Sequence, residues 1–310
     1  MRKLFIALTL IVTTSFSNAQ NFKQINGWTK EVNQKLEKFL NSTKNYKDRK
    51  VAVFDCDGTV FGQVPYYLAD EALYRYADKN YKGKTDSKSL EKLAILDKMV
   101  KNGDNVGKEY VEDRVHFLSG LTPDQIRQMG ADCYKETYKG KVYPEMKEFI
   151  NNLKNYGFEV WILTASPELL YQKFISEELG IPALNVIGVK SVIENGIASG
   201  TIVPPIPQDD GKAYTIETFI QANPLVVGGN SRGDMDMLNE SAGLKIVVNP
   251  DDDTIRPKED GVFAGYTVKS YWEKHDGIIV YCKDSSDPKI KYHTKEWGIR
   301  TNKDTSQPKN

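Results

Sequence analysis

The sequence is poor in the residues that build stapled or thiolate-based proteins: 310 positions hold three cysteines and three histidines. Cys56, Cys133 and Cys282 are far apart and odd in number, so they form no disulfide framework and no metal-ligand spacing. Because Cys56 falls inside a motif described below, Cys133 to Cys282 is the only pairing left open. Charge of one sign is absent too. The 42 basic and 42 acidic side chains cancel, so the total points to neither nucleic acid nor an anionic membrane. No apolar run reaches the length of a membrane span. His116, His275 and His293 sit beside no motif and are expected to be structural or solvated.

What is present is a chain rich enough in apolar residues, 40%, to bury a large core. Met1-Arg2-Lys3, the apolar run Leu4 to Val12 and Ser17-Asn18-Ala19 have the basic, apolar and small-residue order of an export signal over residues 1–19. Its removal would leave 40 basic against 42 acidic side chains. The mature protein is therefore expected to be periplasmic or secreted. Trp28 to Leu40 has helical spacing, and Val51-Ala52-Val53-Phe54 reads as a buried strand ending in a polar loop. A long helical stretch follows. In it Leu90, Leu93, Ala94, Leu96 and Val100 mark one face, and Thr122-Pro123-Asp124-Gln125 has the form of a capping box.

Beyond Gly157 strands and helices alternate. Phe158 to Leu163 reads as a strand, Ser166 and Pro167 as the cap and start of a helix, and Glu194-Asn195-Gly196 as a hairpin turn within 185–203. A helix over Gly211 to Ala222, strands at Leu225 to Gly228 and Leu244 to Val248, and a weak strand and short helix within Tyr266 to Tyr281 complete the pattern. Such alternation predicts an α/β fold, with a Rossmann-like parallel sheet covered on both faces. Core segments are expected over 20–65 and 141–300, an all-helical insertion over 66–140, and a mobile polar tail over 301–310.

In an open parallel sheet, ligands bind beyond the carboxyl ends of the strands. The polar residues there are Asp55 and Asp57, then Thr164, then Lys212 at a helix start, then Asn230 and Asp234. Two carboxylates, an ammonium and a hydroxyl suit a phosphate and a divalent cation. Asp55 is placed to attack phosphorus as a carboxylate nucleophile, and Asp57 to work as general acid and base. Gly58 lets the chain turn tightly. Asp236 and Glu240 read as surface helix positions, and Cys56 as packing inward.

Asp55-Cys56-Asp57-Gly58-Thr59, Thr164 after Trp161-Ile162-Leu163, Lys212, and Gly229-Asn230-Ser231-Arg232-Gly233-Asp234 stand in order, each behind the right kind of element. In this the sequence resembles the haloacid dehalogenase superfamily of aspartate-nucleophile phosphatases, in its phosphoserine-phosphatase-like branch, over about Val51 to Asn249. The resemblance implies a Rossmann-like core with an inserted helical cap, a Mg²⁺ cofactor and a small phosphorylated metabolite as substrate. It makes Asp55 the nucleophile and a metal ligand, Asp57 the acid/base with its backbone carbonyl on the metal, and Gly58, Thr59, Thr164, Ala165 and Lys212 the phosphoryl-binding set. Asn230 stands where the family has an acidic ligand. That removes one negative charge from the metal site unless Asp234 compensates.

Phosphoserine enzymes carry an acidic residue shortly after the first motif, and Val60 to Ala69 holds none. Tyr66, Tyr67, Tyr74 and Tyr76 instead suggest an aromatic cage for a phosphocholine-type substrate. The same motifs are also compatible with a phosphotransferase using the same intermediate and with a non-catalytic binding protein on the same scaffold. The sequence carries no signal of oligomeric state.

Overall fold

Val51 to Phe54 alternate no polar residues, so as a strand they must be covered on both faces. They are: β1 (Val51–Asp55) is buried at every position. The computed structural model describes residues 21–302. The export signal read over 1–19 lies outside them, as does the polar tail from position 303 onward.

Before β1 comes α1 (Lys30–Ser42), and after it the helices α2 (Leu68–Asn80), α3 (Ser87–Asn102), α4 (Lys108–Leu118) and α5 (Pro123–Cys133). The chain continues through α6 (Pro144–Asn155), β2 (Glu159–Pro167), α7 (Glu168–Leu179) and the strands β3 (Val186–Glu194) and β4 (Ile197–Val203). The short α8 (Gly211–Thr215), β5 (Val226–Gly229), α9 (Met235–Asn239), β6 (Leu244–Val248), α10 (Val268–Lys274), β7 (Gly277–Val280) and α11 (His293–Glu296) follow. The strands form one sheet in the order β4-β3-β2-β1-β5-β6-β7. All neighbours are parallel except β3 and β4. The chain runs outward from β1 through β2 and β3, then returns to start again at β5 on the other side. Order therefore reverses beside β1, and a crevice opens there. Asp55 is level with Leu163 of β2, and Phe54 with Gly228 of β5. Thr164, next after Leu163 in β2, and Asn230, just past β5, thus emerge on either side of Asp55.

The helical insertion closes directly on the sheet. Its α5 packs along α7, and α4 lies against β4. Phe61 and Phe174, 5.2 Å apart, are joined by Tyr134, stacked on Phe174 at 4.8 Å. The hairpin turn at Asn195-Gly196 is present, both residues having positive φ as a primed turn requires. Thr122 and Gln125 form the capping box.

Several local expectations fail for tertiary reasons. Leu90 is exposed, and α3 buries Ser89, Lys92, Leu96 and Met99 instead. Lys92 is turned inward because the C-terminal end of α4 needs a donor; its Nζ donates to the His116 carbonyl at 3.0 Å and to Ser119 Oγ at 2.8 Å. Ser166 caps no helix. The extended backbone of β2 runs through Pro167, and α7 starts at Glu168 without a side-chain cap. All three cysteines are free and buried. Cys133 ends α5 facing the Leu68 carbonyl, whereas the Cys282 amide donates to Asn249 Oδ1 beyond β7, so no Cys133–Cys282 bridge forms.

After β7 the chain returns as a strap over the insertion. Asp284 Oδ2 accepts from the amides of Gln63 and Val64 at 2.8 and 3.2 Å, and Oδ1 pairs with Lys141. One buried carboxylate thereby holds both crossings between sheet and insertion. Glu71 of α2 caps α11 through the amides of His293 and Thr294, both at 3.0 Å. Asn302, within the tail expected to be mobile, donates from its amide nitrogen to the Pro65 carbonyl at 2.7 Å and from its side chain to Gln63 at 2.7 Å.

Replacing Asp284 by Ala takes the ion pair from Lys141, which keeps only the Ser285 carbonyl, and leaves the buried Val64 and part-buried Gln63 amides unpaired, and is expected to cost about 3 kcal/mol of unfolding free energy. The fall in urea midpoint measures it. A loss below about 1 kcal/mol would show that water substitutes for the carboxylate.

Candidate active site

At the crevice beside β1 lies a cavity of about 350 Å³ bordered by Asp55, Asp57, Lys212, Asn230 and Ala165 from the sheet side. Arg114 and Tyr67 border it from the insertion. Asp55 is the last residue of β1, so its position follows from the strand. The loop after it must reverse within a few residues. Gly58 allows this with φ +89°, and any Cβ there would come within 2.3 Å of the Asn230 amide.

Lys212, at the start of α8, is buried with its Nζ 2.6 Å from Asp55 Oδ1 and 2.6 Å from Asp234 Oδ1. One ammonium cannot neutralise two carboxylates, so the pair divides unequally. Asp234 Oδ2 also accepts from the amides of Asn230 and Ser231, both at 2.9 Å, and from Ser231 Oγ at 3.0 Å. Although burial pushes it up, Lys212 and these amides hold its carboxyl below the usual range. Asp55 bears the remainder: burial and then the Asp234 charge push it up to about 7 against the pull of Lys212. Burial pulls the Lys212 ammonium down, but the two carboxylates outweigh it, so its pKa is raised and it stays charged.

These contacts correct one expectation. Both oxygens of Asp234 are engaged by Lys212 and its own loop, and its side chain is fully buried. It orients Lys212 and the loop and, unlike Asp55 and Asn230, does not border the cavity, so it is not placed to compensate for Asn230. Gly229 belongs to the same fit, since a Cβ there would lie 2.4 Å from Asp234 Cβ.

Thr59 is buried, and its hydroxyl lies 3.0 Å from Asp55 Oδ2 and 3.2 Å from Asn230 Oδ1. It sets these two oxygens rather than facing the cavity. Asp57 accepts from Thr164 Oγ1 on Oδ2 at 3.0 Å and from Tyr171 OH on Oδ1 at 2.8 Å. Burial pushes its carboxyl up to about 6 even though both hydroxyls favour the charged form. Thr164 itself is fully buried and accepts the Ser166 amide at 3.1 Å. Cys56 packs inward, its thiol pushed well up by burial and the flanking aspartates. His116, His275 and His293 do not border the cavity.

The residues fit a hard cation in kind. Asp55 Oδ2 and Asn230 Oδ1 converge on one hydroxyl, and oxygen donors are what Mg²⁺ takes. Among the described residues no group of three or more His, Cys, Asp or Glu side chains could hold a metal; the set here has one acidic side chain, Asp55, itself bonded to Lys212 and Thr59, with an amide and a backbone carbonyl.

Sequence reasoning missed Arg114 and Tyr171. Arg114 Nε and Nη2 fork onto Asp70 at 2.8 and 3.0 Å, with the guanidinium 5.5 Å from the Tyr67 ring. No spacing links positions 70, 114 and 57, so only the packing of α2 against α4 brings them together. The aromatic cage is not formed. Of the four tyrosines only Tyr67 borders the cavity; Tyr66 packs on Tyr292, Tyr74 on Trp297 and Tyr76 on Tyr81.

The family profile described as haloacid dehalogenase-like hydrolase matches residues 52–239, and the chain belongs to that family. Phosphoserine phosphatase SerB1 of Mycobacterium tuberculosis is 24% identical over 140 residues, 44% of this chain and 44% of its own. The chain spans about half the length of the curated relatives it matches. Its fold is shared with a conserved protein of unknown function from Anaerococcus prevotii, at a TM-score of 0.59, 16% identity and coverage of 84% of this chain and 93% of the other. A protein of unknown function from Bordetella pertussis gives 0.55 and 14%, covering 76% and 99%.

In the metal-free chain Asp55 holds its proton to higher pH folded than unfolded. Its contribution to stability is therefore complete below the ordinary 3.8 and is lost as pH rises through about 7. Asp55→Asn removes that loss, so the variant should gain on the wild-type chain between those values. Urea midpoints in EDTA at both ends measure the gap, and a constant gap would mean that Asp55 titrates normally.

Proposed function

We propose that this chain is an exported phosphomonoesterase that hydrolyses a small organic phosphate through an aspartyl-phosphate intermediate. The observation that carries the reading is the Lys212 ammonium, 2.6 Å from both Asp55 and Asp234, at a cavity that Asp57 also borders. Asp55 attacks phosphorus as a carboxylate, the form that positive charge beside it favours. Lys212 and the Thr164 hydroxyl hold the phosphoryl oxygens, and Asp57 protonates the departing ester oxygen. In the second half Asp57 takes a proton from the water that releases phosphate from Asp55.

Mg²⁺ would be held by Asp55, the Asp57 carbonyl and Asn230. When bound it offsets negative charge on the phosphoryl group and the nucleophile. With Asn230 neutral and Asp234 spent on Lys212, affinity for the ion is expected to be modest. A cavity of about 350 Å³ is at the small end for ligand sites, which supports a small ester. A cationic substrate tail would meet Arg114 beside Tyr67, so a phosphocholine-type substrate is disfavoured. The N-terminal 1–19 segment supports action outside the cytoplasm.

With a generic aryl phosphate and Mg²⁺, Asp55→Asn is expected to lose turnover down to background; persistent turnover would remove Asp55 as nucleophile. Asn230→Asp should lower the Mg²⁺ concentration giving half-maximal rate, by about tenfold if one added charge contributes about 1.4 kcal/mol. An unchanged requirement would place Asn230 away from the ion.

A further inference from the structure

Tyr171 sits in the first turn of α7, fully buried, and comes from the sheet side rather than from the insertion. Its ring is fixed against Phe174 at 5.4 Å, and Phe174 is in turn packed on Phe61 and Tyr134. A ring wedged in this way has little freedom, so its hydroxyl stays where the packing puts it: 2.8 Å from Asp57 Oδ1. The other oxygen, Oδ2, accepts from Thr164 Oγ1 at 3.0 Å.

The two hydroxyls are not equivalent. Each carries a single proton to donate. If Thr164 donates to a phosphoryl oxygen, it must withdraw that proton from Asp57 Oδ2. Neither Thr164 nor Tyr171 borders the cavity, but Thr164 directly precedes Ala165 and Ser166, which do, whereas Tyr171 stands further on in α7 and has no such competing demand on its proton. Substrate arrival thus frees one oxygen of Asp57 and leaves the other held.

We propose that Tyr171 is the positioning residue that fixes Asp57 by Oδ1, so that Oδ2 alone carries the proton to and from the reacting group. The proposal rests on the phosphomonoesterase reading and deepens it. In the first half-reaction the Asp55–phosphorus bond forms, the phosphorus–ester oxygen bond breaks, and the proton on Asp57 Oδ2 moves to that oxygen. In the second, water loses a proton to Oδ2, its oxygen bonds phosphorus, and Asp55 leaves as carboxylate. Tyr171 keeps its own proton throughout.

The test uses leaving-group dependence. A 4-nitrophenolate departs with little help, whereas a simple alkoxide needs the proton. kcat/KM for 4-nitrophenyl phosphate and for ethyl phosphate is measured for the wild-type chain, Tyr171→Phe, Asp57→Asn and the double variant. This parameter reports the first half-reaction and is blind to how fast the intermediate is cleared. Tyr171→Phe should lower the value for ethyl phosphate at least about tenfold more than that for the aryl ester, part of the 10²–10⁴ that a positioned acid supplies. In the Asp57→Asn background the same change should leave the ratio of the two esters unaltered.

An equal fall for both esters, or a change of ratio that persists without Asp57, would overturn the proposal and leave the phosphatase reading standing. Loss of the folded state in Tyr171→Phe, read by thermal melting, would assign the hydroxyl to stability and also overturn it. Absence of turnover in the wild-type chain with both esters would remove the functional reading itself.

Discussion

One ammonium shared by two buried carboxylates is the constraint on which the site depends. Lys212 lies 2.6 Å from Asp55 and from Asp234, in surroundings where an unpaired charge costs several kcal/mol. The sharing is asymmetric because Asp234 is also bound by the amides of Asn230 and Ser231. Asp234 keeps its charge and fixes the ammonium, while Asp55 is left as the carboxylate with unsatisfied demand for positive charge. Thr59 then ties Asp55 to Asn230, so the loops after β1 and β5 are set by the same few contacts.

A second constraint joins the sheet to the helices above it. Asp284 binds both chain crossings, and Glu71 anchors α11 to the first inserted helix. The strap also reaches the cavity wall, since the Arg300 carbonyl accepts from Asn105 and Asn302 donates to Gln63. Cavity size is thereby set partly by residues remote in sequence from every motif. Val106 and Gln208 close the wall from the other side through a hydrogen bond. The shape of the cavity consequently depends on how these segments meet, with the motifs supplying polar groups at its floor.

The parts of the site that are legible in the sequence are those following a strand. Asp55, Thr164 and Asn230 each come directly after a buried apolar run, and a parallel sheet delivers all such ends to one edge. Lys212 is legible as the start of a helix between two strands. The expected compensation by Asp234 fails because spacing cannot reveal that its oxygens are used by its own loop. Ser166 misleads for a similar reason: Ser-Pro before an apolar run has the composition of a cap, but the Thr164 hydroxyl takes its amide and keeps the backbone extended. Leu90 misleads because the end of α4 requires a lysine on the face where periodicity places leucines.

Local order along the chain therefore determined the α/β class, the course of the strands and which polar residues follow them to the crevice, because strand burial and turn chemistry depend on neighbours a few residues apart. Packing across long separations decided which of the four tyrosines meets the cavity, that Arg114 pairs with Asp70, that Tyr171 holds Asp57, and that the cysteines remain apart. Those outcomes depend on the angle and depth at which one element lies on another. Side chains from positions 57, 114 and 171 carry no mark of one another until the sheet and the helices enclose them.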